Sequence, residues 1–321
     1  MEPAILGIDI AKEKFDVALL SGEKMITDTF SNTTAGFGML KRWLAKYRVE
    51  RVHACLEATG TYGEALAEYL HRAGHTVSVV NPARIKGFGQ GELSRTKTDK
   101  ADAQLIARFC RAMRPDSWQP PAPEVKELQS LVRRLEAVNS MLEQEKNRLE
   151  TADDVIKESI KRVITCLQQE KKATRKLIRN HIDRHPDMRG KRDLLESIPG
   201  IGPGTSAMIL AEFGDVSRFP DAGSMASFCG LTPRHRQSGS SVRGRSMISK
   251  TGSSRLRKAL FMPALASMRC NPVIAALRAR LRASAKHPMV IVCAIMRKLI
   301  HIAFGVLKSG RPFDPSIAAA A

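Results

Sequence analysis

Residues 96–103 read Thr-Lys-Thr-Asp-Lys-Ala-Asp-Ala and place two carboxylates at the start of a predicted helix. Because Asp99 and Asp102 are three residues apart, they share one face of that helix. Two like charges so close repel each other and raise each other's pKa unless a cation lies between them. Taken singly, Asp99 is equally well explained as a helix cap and Asp102 as a charge that favours the helix start. The preceding predicted strands supply further carboxylates that give these two aspartates a possible common function.

Two predicted apolar strands earlier in the chain also carry carboxylates. Asp9 lies in Gly7-Ile8-Asp9-Ile10, and Glu57 directly follows the strand predicted over residues 51–56. Three strands, a helix and then alternating strands and helices predict a mixed sheet with helices on its faces, an α/β fold. The predicted strands are 4–10, 15–20, 25–30, 51–56 and 75–80, and the predicted helices are 36–46, 62–72 and 100–113.

The ordered set of Asp9, Glu57, Asp99 and Asp102 predicts a metal site. Hard divalent cations such as Mg²⁺ or Mn²⁺ take oxygen ligands and also bind substrate phosphates. Carboxylates from two strands and a helix start can hold a pair of such ions, which stabilise the attacking and leaving oxygens of a phosphodiester. We therefore expect these four residues to be catalytic and to bind Mg²⁺ or Mn²⁺.

The charge of the chain favours a polyanionic partner. Lys and Arg number 52 against 32 Asp and Glu, a net charge of +20. Residues 231–321 hold 17 of these cations and a single acid, Asp314, so most of the excess lies in a basic C-terminal module. Nucleic acid is the expected partner, ahead of an anionic membrane. A hydrophobic fraction of 43% with 26% charged residues excludes a disordered or fibrous chain.

We expect a cytoplasmic protein without a membrane partner. The most apolar window, Met289–Met296, is followed by Arg297-Lys298 and is too short to span a bilayer. The N-terminus lacks the basic and apolar regions of a secretory signal. The six cysteines are scattered without a C-x-x-C pair, which argues against disulfides and a Cys-bound zinc ion.

Four prolines between Pro115 and Pro123 mark a boundary, and we predict three domains: a catalytic domain over 1–120, a spacer over 121–188 and a basic domain over 189–321. In the spacer, leucines recur every seven residues with a polar Asn139 in the seam. This heptad pattern fits either a coiled coil that joins two protomers or a helical hairpin within one chain. The leucines are Leu128, Leu135, Leu142 and Leu149.

The segment Ile198-Pro199-Gly200-Ile201-Gly202-Pro203-Gly204-Thr205 ends one predicted helix and starts another. Thr205 or Ser206 is placed to cap the second helix, and free N–H groups at a helix start bind phosphate. A helix-hairpin-helix element of this kind grips the DNA backbone, and Gly200, Gly202 and Thr205 are its predicted contacts. A plain packing unit is the alternative.

A second candidate site lies in the basic module. Residues 234–258 contain eight cations and no acid, and Ser238, Ser240 and Ser241 lie in their Gly-rich loop. From the residues alone, this loop fits a phosphate-binding segment better than a covalent catalyst. The predicted nucleic-acid ligands are Arg234, Arg236, Arg243, Arg245, Lys250, Arg255 and Lys258.

These motifs together resemble the DEDD transposases of bacterial insertion sequences, the IS-one-ten family that is related to the Piv DNA invertases. The resemblance rests on the N-terminal Gly-Ile-Asp-Ile-Ala-Lys-Glu-Lys, on Glu57-Ala58-Thr59-Gly60, on residues 97–103, on Leu195–Gly202 and on Ser238-Gly239-Ser240-Ser241. It covers nearly the whole chain, from about Ile5 to Gly310.

The resemblance implies a RuvC-like, RNase H-type domain with a DEDD site, a coiled-coil spacer and a mostly helical transposase domain in which Ser238 is the nucleophile. It also implies action on donor and target DNA with a structured bridge RNA as guide. Sequence choice would then rest on base pairing. A RuvC-type nuclease that uses water, and a non-enzymatic nucleic-acid-binding protein, are the alternatives. From the heptad pattern we expect a homo-oligomer, either a dimer or a tetramer.

Overall fold

The computed structural model describes residues 4–58, 60–92, 98–234, 237–238, 242–243 and 247–316, with backbone alone for 237–238 and 242–243. The chain forms two compact units that meet in sequence at Pro120 and Pro121. The predicted spacer and the predicted basic domain thus belong to one unit. Each unit has its own hydrophobic core.

The N-terminal unit is built on a five-stranded mixed sheet, which confirms the predicted α/β class. The strand order is β3-β2-β1-β4-β5. Strands β1, β2 and β3 are antiparallel, whereas β4 and β5 run parallel to β1. The strands are β1 (Ala4–Ile10), β2 (Lys14–Ser21), β3 (Lys24–Ser31), β4 (Val52–Glu57) and β5 (Thr76–Val80).

The helices of this unit include one that the sequence pattern did not predict. Its N-terminus is well defined, because the Asn81 side chain accepts a hydrogen bond from the Ala83 N–H and Pro82 occupies the first turn. Glycines at 87, 89 and 91 weaken its helical pattern in the sequence. The helices are α1 (Thr34–Lys46), α2 (Glu64–Arg72), α3 (Pro82–Gly91) and α4 (Asp99–Met113).

Gly7 allows α4 to lie directly against the sheet. A Cβ atom at this position would come within 2.2 Å of the Ala103 carbonyl oxygen and 2.4 Å of the Ala107 nitrogen. Only glycine therefore fits under the helix at this point of β1. Because Gly7 is two residues before Asp9, the close approach fixes the first turn of α4 over the end of β1.

The C-terminal unit is mostly helical. Its core contains buried residues from all eight of the helices given below, with α8 and α12 contributing the most. Among the residues that the structure describes between α9 and α10, there are four two-residue strands. The helices are α5 (Pro123–Thr151), α6 (Asp154–Arg184), α7 (Pro186–Glu196), α8 (Pro203–Phe213), α9 (Ala222–Phe228), α10 (Ser254–Cys270), α11 (Pro272–Ala283) and α12 (Pro288–Ser309).

The heptad seam packs within the chain. Helices α5 and α6 form a hairpin, and Leu128 and Val132 are buried in the core of the C-terminal unit. Farther along the hairpin, Leu142 and Ile160 are also buried. Of the two interpretations of the heptad pattern, the structure shows the intramolecular hairpin, and assembly of protomers stays a prediction.

Helix α12 is longer than the apolar window Met289–Met296, which the sequence analysis judged too short to span a bilayer. It continues through Arg297 and Lys298 to Ser309, and its 22 residues are long and apolar enough to cross a membrane. More than half of its apolar stretch is buried, and Ile295, Leu299 and Ile300 lie fully buried in the core of the C-terminal unit. It thus has the character of a core helix.

Candidate active site

The predicted carboxylates gather at one edge of the N-terminal sheet. Strands β1 and β4 are parallel neighbours, with Ile8 opposite Leu56, so Asp9 and Glu57 follow that pair at adjacent positions. The carboxyl ends of adjacent parallel strands are where α/β proteins bind ligands. Both side chains are partly buried.

Asp99 and Asp102 occupy the first turn of α4, as predicted. The cap is neither of them but Thr98, whose side-chain oxygen accepts a hydrogen bond from the Ala101 N–H at 3.2 Å. Thr98 therefore satisfies the helix start in place of Asp99.

The pKa shifts of Asp9 and Glu57 reflect the negative charges that surround them. Burial, together with the charges of Asp102, Asp99 and Asp16, raises the pKa of Asp9 to about 6. Burial and the charges of Asp9 and Asp102 likewise raise the pKa of Glu57. Negative charges that destabilise each other in this way are stabilised by a bound cation.

Lys14 and Asp16 belong to the same cluster and were missed by the sequence analysis. The Lys14 ammonium donates to Asp99 at 2.8 Å and to Asp16 at 3.3 Å. Asp16 is almost fully buried, and its other oxygen accepts a 2.6 Å hydrogen bond from the Thr29 hydroxyl. Because of Lys14, the pKa of Asp99 is lowered from its usual value.

The position of Asp16 beside Asp9 is predictable from strand pairing. In the antiparallel register Asp9 lies directly opposite Asp16, so both side chains point to the same face of the sheet. In the sequence, Asp16 is a charged residue between the apolar residues Phe15 and Val17. It follows Asp9 closely enough for the two strands to form a hairpin. Reading that strand as a pair with β1 would have placed the two carboxylates together.

The donor set suits a hard divalent cation, because all predicted ligands offer carboxylate oxygens. In the part of the chain that the structure describes, no three His, Cys, Asp or Glu side chains are close enough together to hold a metal ion as they stand. Asp99 is directed to Lys14. Metal ligation by Asp9, Glu57, Asp99 and Asp102 therefore remains a prediction, and it requires these side chains to close in.

Two pairs of short strands are described in the serine segment, and we call these strands, within residues 233–248, the β-hairpin arm. Strand β6 (Pro233–Arg234) pairs with β9 (Met247–Ile248). Farther out, β7 (Gln237–Ser238) pairs with β8 (Val242–Arg243), with Ser238 opposite Val242. The backbone of Ser238 thus lies close to the tip of the arm. Arg236, Ser240, Ser241 and Arg245 lie outside the described residues, as do the side chains of Ser238 and Arg243.

The base of the arm is firmly anchored. The Arg257 guanidinium donates to the carbonyl oxygens of Cys229 at 2.9 Å and Gly252 at 3.2 Å. Gly230 has φ +67°, and a Cβ atom there would meet that guanidinium at 2.4 Å. The two segments that lead into and out of the arm are therefore held together by Arg257.

The predicted phosphate ligands at the base of the arm differ in their surroundings. Arg234, Lys250 and Lys258 are exposed. The guanidinium of Arg255 instead lies 2.6 Å from both Glu136 and Glu212. A phosphate contact by Arg255 would have to displace these two carboxylates. In the structure Arg255 instead forms ion pairs within the protein, and its contact with phosphate stays a prediction.

The predicted helix-hairpin-helix element lies between α7 and α8. Gly200 has φ +103°, and a Cβ atom there would lie 2.6 Å from that of Ser267, so this glycine serves close packing against α10. Gly202, rather than Thr205 or Ser206, is the N-cap of α8, because Pro203 starts the helix earlier. The Ser206 hydroxyl donates to Glu196 at 2.7 Å and joins α7 to α8. Phosphate contacts by Gly200, Gly202 and Thr205 stay predictions.

Comparison with known proteins covers both units. Residues 6–156 match a DEDD-type transposase family, and residues 192–279 match the family described as "Transposase IS116/IS110/IS902 family". The chain is 36% identical to the pilin gene-inverting protein of Moraxella bovis over 320 residues, which is 99% of each chain. The pilin gene-inverting protein of Moraxella lacunata matches with the same identity and coverage.

A third relative matches over a shorter part. It is the insertion element IS110 uncharacterized 43.6 kDa protein of Streptomyces coelicolor, with 29% identity over 161 residues, half of this chain and 38% of that protein. The carboxylate cluster lies in the part matched by the DEDD family, and most of the basic module lies in the part matched by the second. The chain therefore belongs to the IS116/IS110/IS902 family of transposases, which recombine DNA.

Proposed function

We propose that this protein is an RNA-guided, metal-dependent recombinase of a bacterial insertion sequence, which cuts and rejoins DNA through the serine Ser238. The observation that carries the metal-dependent part is the cluster of Asp9, Glu57 and Asp102 at one end of the sheet, where the charge of Asp102 helps to raise the pKa of both Asp9 and Glu57. The serine and the guide RNA rest on the family resemblance.

The N-terminal unit is assigned to the RuvC-like, RNase H-type fold. Support comes from the strand order β3-β2-β1-β4-β5, with three antiparallel strands followed by two parallel ones. In this assignment the site lies where β1 and β4 end and α4 begins. The domain limits that we propose are 1–120, 121–188 and 189–321, the last two packed as one unit.

Asp9, Glu57, Asp99 and Asp102 would hold Mg²⁺ or Mn²⁺. When bound, such a cation supplies positive charge to the phosphate oxygens of the scissile DNA strand. The chain's own residues orient the site: Thr98 caps α4, and Gly7 lets that helix approach β1. Lys14 holds Asp99, while the Thr29 hydroxyl holds Asp16 beside it.

Ser238 would carry the covalent chemistry. Its hydroxyl oxygen attacks the scissile phosphorus and loses its proton, a P–O bond to a deoxyribose oxygen breaks, and that leaving oxygen gains a proton. The product is a phosphoserine link to one DNA end. A deoxyribose hydroxyl of another strand attacks the link in reverse, so the bond energy is kept and rejoining needs no ATP.

Basic residues near Ser238 would clamp the phosphates. Cations around a scissile phosphate stabilise the charge that develops on it. Arg234, Lys250 and Lys258 are exposed and so are accessible to DNA. The remaining proposed ligands are Arg236, Arg243, Arg245 and Arg255, with the backbone around Gly200, Gly202 and Thr205 as a further phosphate contact.

Partners follow from the family. The two Moraxella relatives are named for inversion of a pilin gene, and we propose that this chain likewise exchanges strands between two DNA segments. Donor and target DNA would be selected through base pairing with a bridge RNA. We propose that strand exchange between two sites is carried out by a dimer or a tetramer. The protein would act in the cytoplasm, at the nucleoid.

A hydrolytic RuvC-like nuclease is the second candidate. It is favoured because metal ions held by the carboxylate cluster would be sufficient for cleavage by water, and the β-hairpin arm would then take no part in the chemistry. It differs from the first candidate in one observable product, because hydrolysis leaves free DNA ends and no protein–DNA bond.

A trapped adduct tests the proposal. Wild-type protein is incubated with labelled donor DNA, target DNA and the RNA encoded beside its gene, with Mg²⁺, and the products are separated on a denaturing gel. We expect a slow, protease-sensitive band that is absent from Ser238→Ala and present in Ser249→Ala, a matched serine in the same segment. Ser238→Ala should still bind DNA, since no charge is removed.

Other outcomes would change the assignment. A band that depends on Ser240 or Ser241 would keep the mechanism and move the nucleophile. Free ends that accumulate without an adduct, in wild type and Ser238→Ala alike, would support the nuclease. Full activity without the RNA would remove the guide.

A further inference from the structure

The middle of α6 carries a basic face that the proposed catalytic sites do not use. Its members are exposed and lie at helical spacings of three and four residues, so they fall within about one quarter to one third of the helix circumference. No Asp or Glu occurs between Lys171 and Ile182. We define the α6 basic face as Lys172, Arg175, Lys176 and Arg179.

This face points away from the core of the C-terminal unit. Thr174 and Ile178, on the opposite side of the same helical turns, are 2% and 6% exposed and face the hairpin and core. The basic side chains consequently have little to do with how α6 packs. Any function of these side chains therefore involves a partner that approaches from the solvent.

The other cations of the hairpin contrast with the α6 basic face. Several are neutralised by a carboxylate within ion-pair distance, whereas the described residues supply no ion-pair partner to the four members of the face. The neutralised pairs are Arg134–Glu170 at 3.1 Å, Lys146–Glu143 at 3.0 Å, Arg148–Glu145 at 2.6 Å, Lys157–Asp154 at 2.7 Å and Lys161–Glu158 at 3.8 Å.

The arrangement is unfavourable for the helix by itself. Lys172 and Lys176 are four residues apart, as are Arg175 and Arg179, and like charges at that spacing destabilise a helix. The helix dipole offers no compensation at Lys172 and Lys176, because its effect is confined to the last turn, which ends at Arg184. A polyanion bound along the face would relieve this repulsion.

The spacing fits the charge density of duplex DNA. From Lys172 to Arg179 the helix rises by about 10 Å, and duplex DNA presents roughly six phosphate charges over that length. DNA is also the substrate of the family to which the chain belongs. We propose that the α6 basic face binds the phosphate backbone of duplex DNA, as a contact separate from the carboxylate cluster and the β-hairpin arm.

A charge-matched pair of variants tests this contact. Lys172→Gln/Lys176→Gln removes two charges from the face, and Lys157→Gln/Lys161→Gln removes two neutralised charges from the same helix. Both change the net charge equally, so any difference between them is local. The full-length proteins are compared by fluorescence anisotropy with a labelled duplex DNA of arbitrary sequence, over a series of salt concentrations.

Each lost phosphate contact reduces the slope of log affinity against log salt by about 0.9. We expect a slope about 1.8 lower for Lys172→Gln/Lys176→Gln, and a slope near that of wild type for the control. Between about 50 and 200 mM salt, the wild type should then lose about tenfold more affinity than the face variant. The face variant should also melt at a slightly higher temperature, because repulsion is relieved.

Equal slopes for the two double variants would overturn the proposal. So would a slope difference seen with an RNA duplex of the same length and not with DNA, since the occupant would then be RNA. The result is independent of the serine chemistry: if wild type forms no adduct and recombines nothing, the recombinase assignment fails while the slope difference still stands.

Discussion

The ammonium nitrogen of Lys14 lies 2.8 Å from a carboxylate oxygen of Asp99, although the two residues are 85 positions apart in the chain. The same ammonium lies 3.3 Å from the buried Asp16. Lys14 therefore joins β2 to the first turn of α4 and supplies a positive charge to the side of the carboxylate cluster. This contact makes Lys14 a positioning residue for the proposed metal site.

Replacing Lys14 should separate metal affinity from turnover. In Lys14→Met the cluster loses a competing positive charge, so we expect Mn²⁺ to bind about three- to tenfold more tightly. DNA cleavage should slow, because Asp99 loses the contact that orients it. Titration calorimetry with Mn²⁺ and a nicking assay measure the two effects.

Lys14→Arg is the matched control, since it keeps the charge and should restore most of the cleavage. Weaker Mn²⁺ binding by Lys14→Met would show that the lysine supports the metal ligands rather than competing for them.

Asp9 predicts a pH-dependent stability in metal-free protein. Its pKa is raised from 3.8 to about 6 in the folded state, so folding favours the protonated carboxyl. The contribution of Asp9 to the free energy of unfolding is therefore fully present below about pH 4, and it is lost as the pH rises through 6.

Asp9→Asn removes this loss and should stabilise the metal-free protein at pH 7.5. The shift corresponds to at most about 3 kcal/mol, and solvent screening at this partly buried site reduces the expected gain to about 1 kcal/mol. Urea unfolding in EDTA at pH 4 and pH 7.5 measures it. A variant less stable than wild type at pH 7.5 would contradict the strained-carboxylate interpretation.

Gly7 predicts a coupling between packing and the site. In Gly7→Ala the added Cβ would meet backbone atoms of α4 at 2.2–2.8 Å, so the helix must move. We expect a loss of about 1–3 kcal/mol of stability together with weaker Mn²⁺ binding, because Asp99 and Asp102 move with α4.

Gly38→Ala is the control, since a Cβ there meets nothing within 4 Å. It lies inside α1 and should stabilise the protein by about 0.5–1 kcal/mol. Urea unfolding and Mn²⁺ titration compare the two variants. If Gly7→Ala is destabilised but binds Mn²⁺ as wild type does, then the position of α4 does not determine metal binding.

The hairpin tip predicts how protomers assemble. Val155 is 93% exposed and Ile156 49% exposed at the start of α6, and we predict that this adjacent apolar pair contacts a second protomer. We expect Val155→Glu/Ile156→Glu to lower the oligomeric state without unfolding the chain. Sedimentation velocity measures the state, and circular dichroism checks the fold.

Leu142→Glu serves as the contrast, because Leu142 is 2% exposed within the hairpin and its replacement should destabilise the fold itself. An unchanged oligomer in Val155→Glu/Ile156→Glu would place the protomer interface elsewhere.

Local patterns in the sequence were sufficient for the elements that carry the cluster. The run of apolar residues predicted β1 over 4–10, and helical spacing predicted α4 from residue 100, one residue after its start at Asp99. The three-residue spacing of the two aspartates, the proline boundary near residue 120 and the basic C-terminal module are likewise properties of the sequence alone. Each depends on neighbours along the chain.

Contacts between distant segments were decided by the tertiary structure. The placement of Asp16 opposite Asp9 depends on strand register, and the contact of Lys14 with Asp99 depends on how α4 packs over β2. The partner of the heptad seam and the carboxylate partners of Arg255 were also undetermined, because a helix face or a cation is compatible with several partners of the same chemistry. Sequence periodicity states which surface a residue occupies, whereas only the packed chain determines what meets that surface.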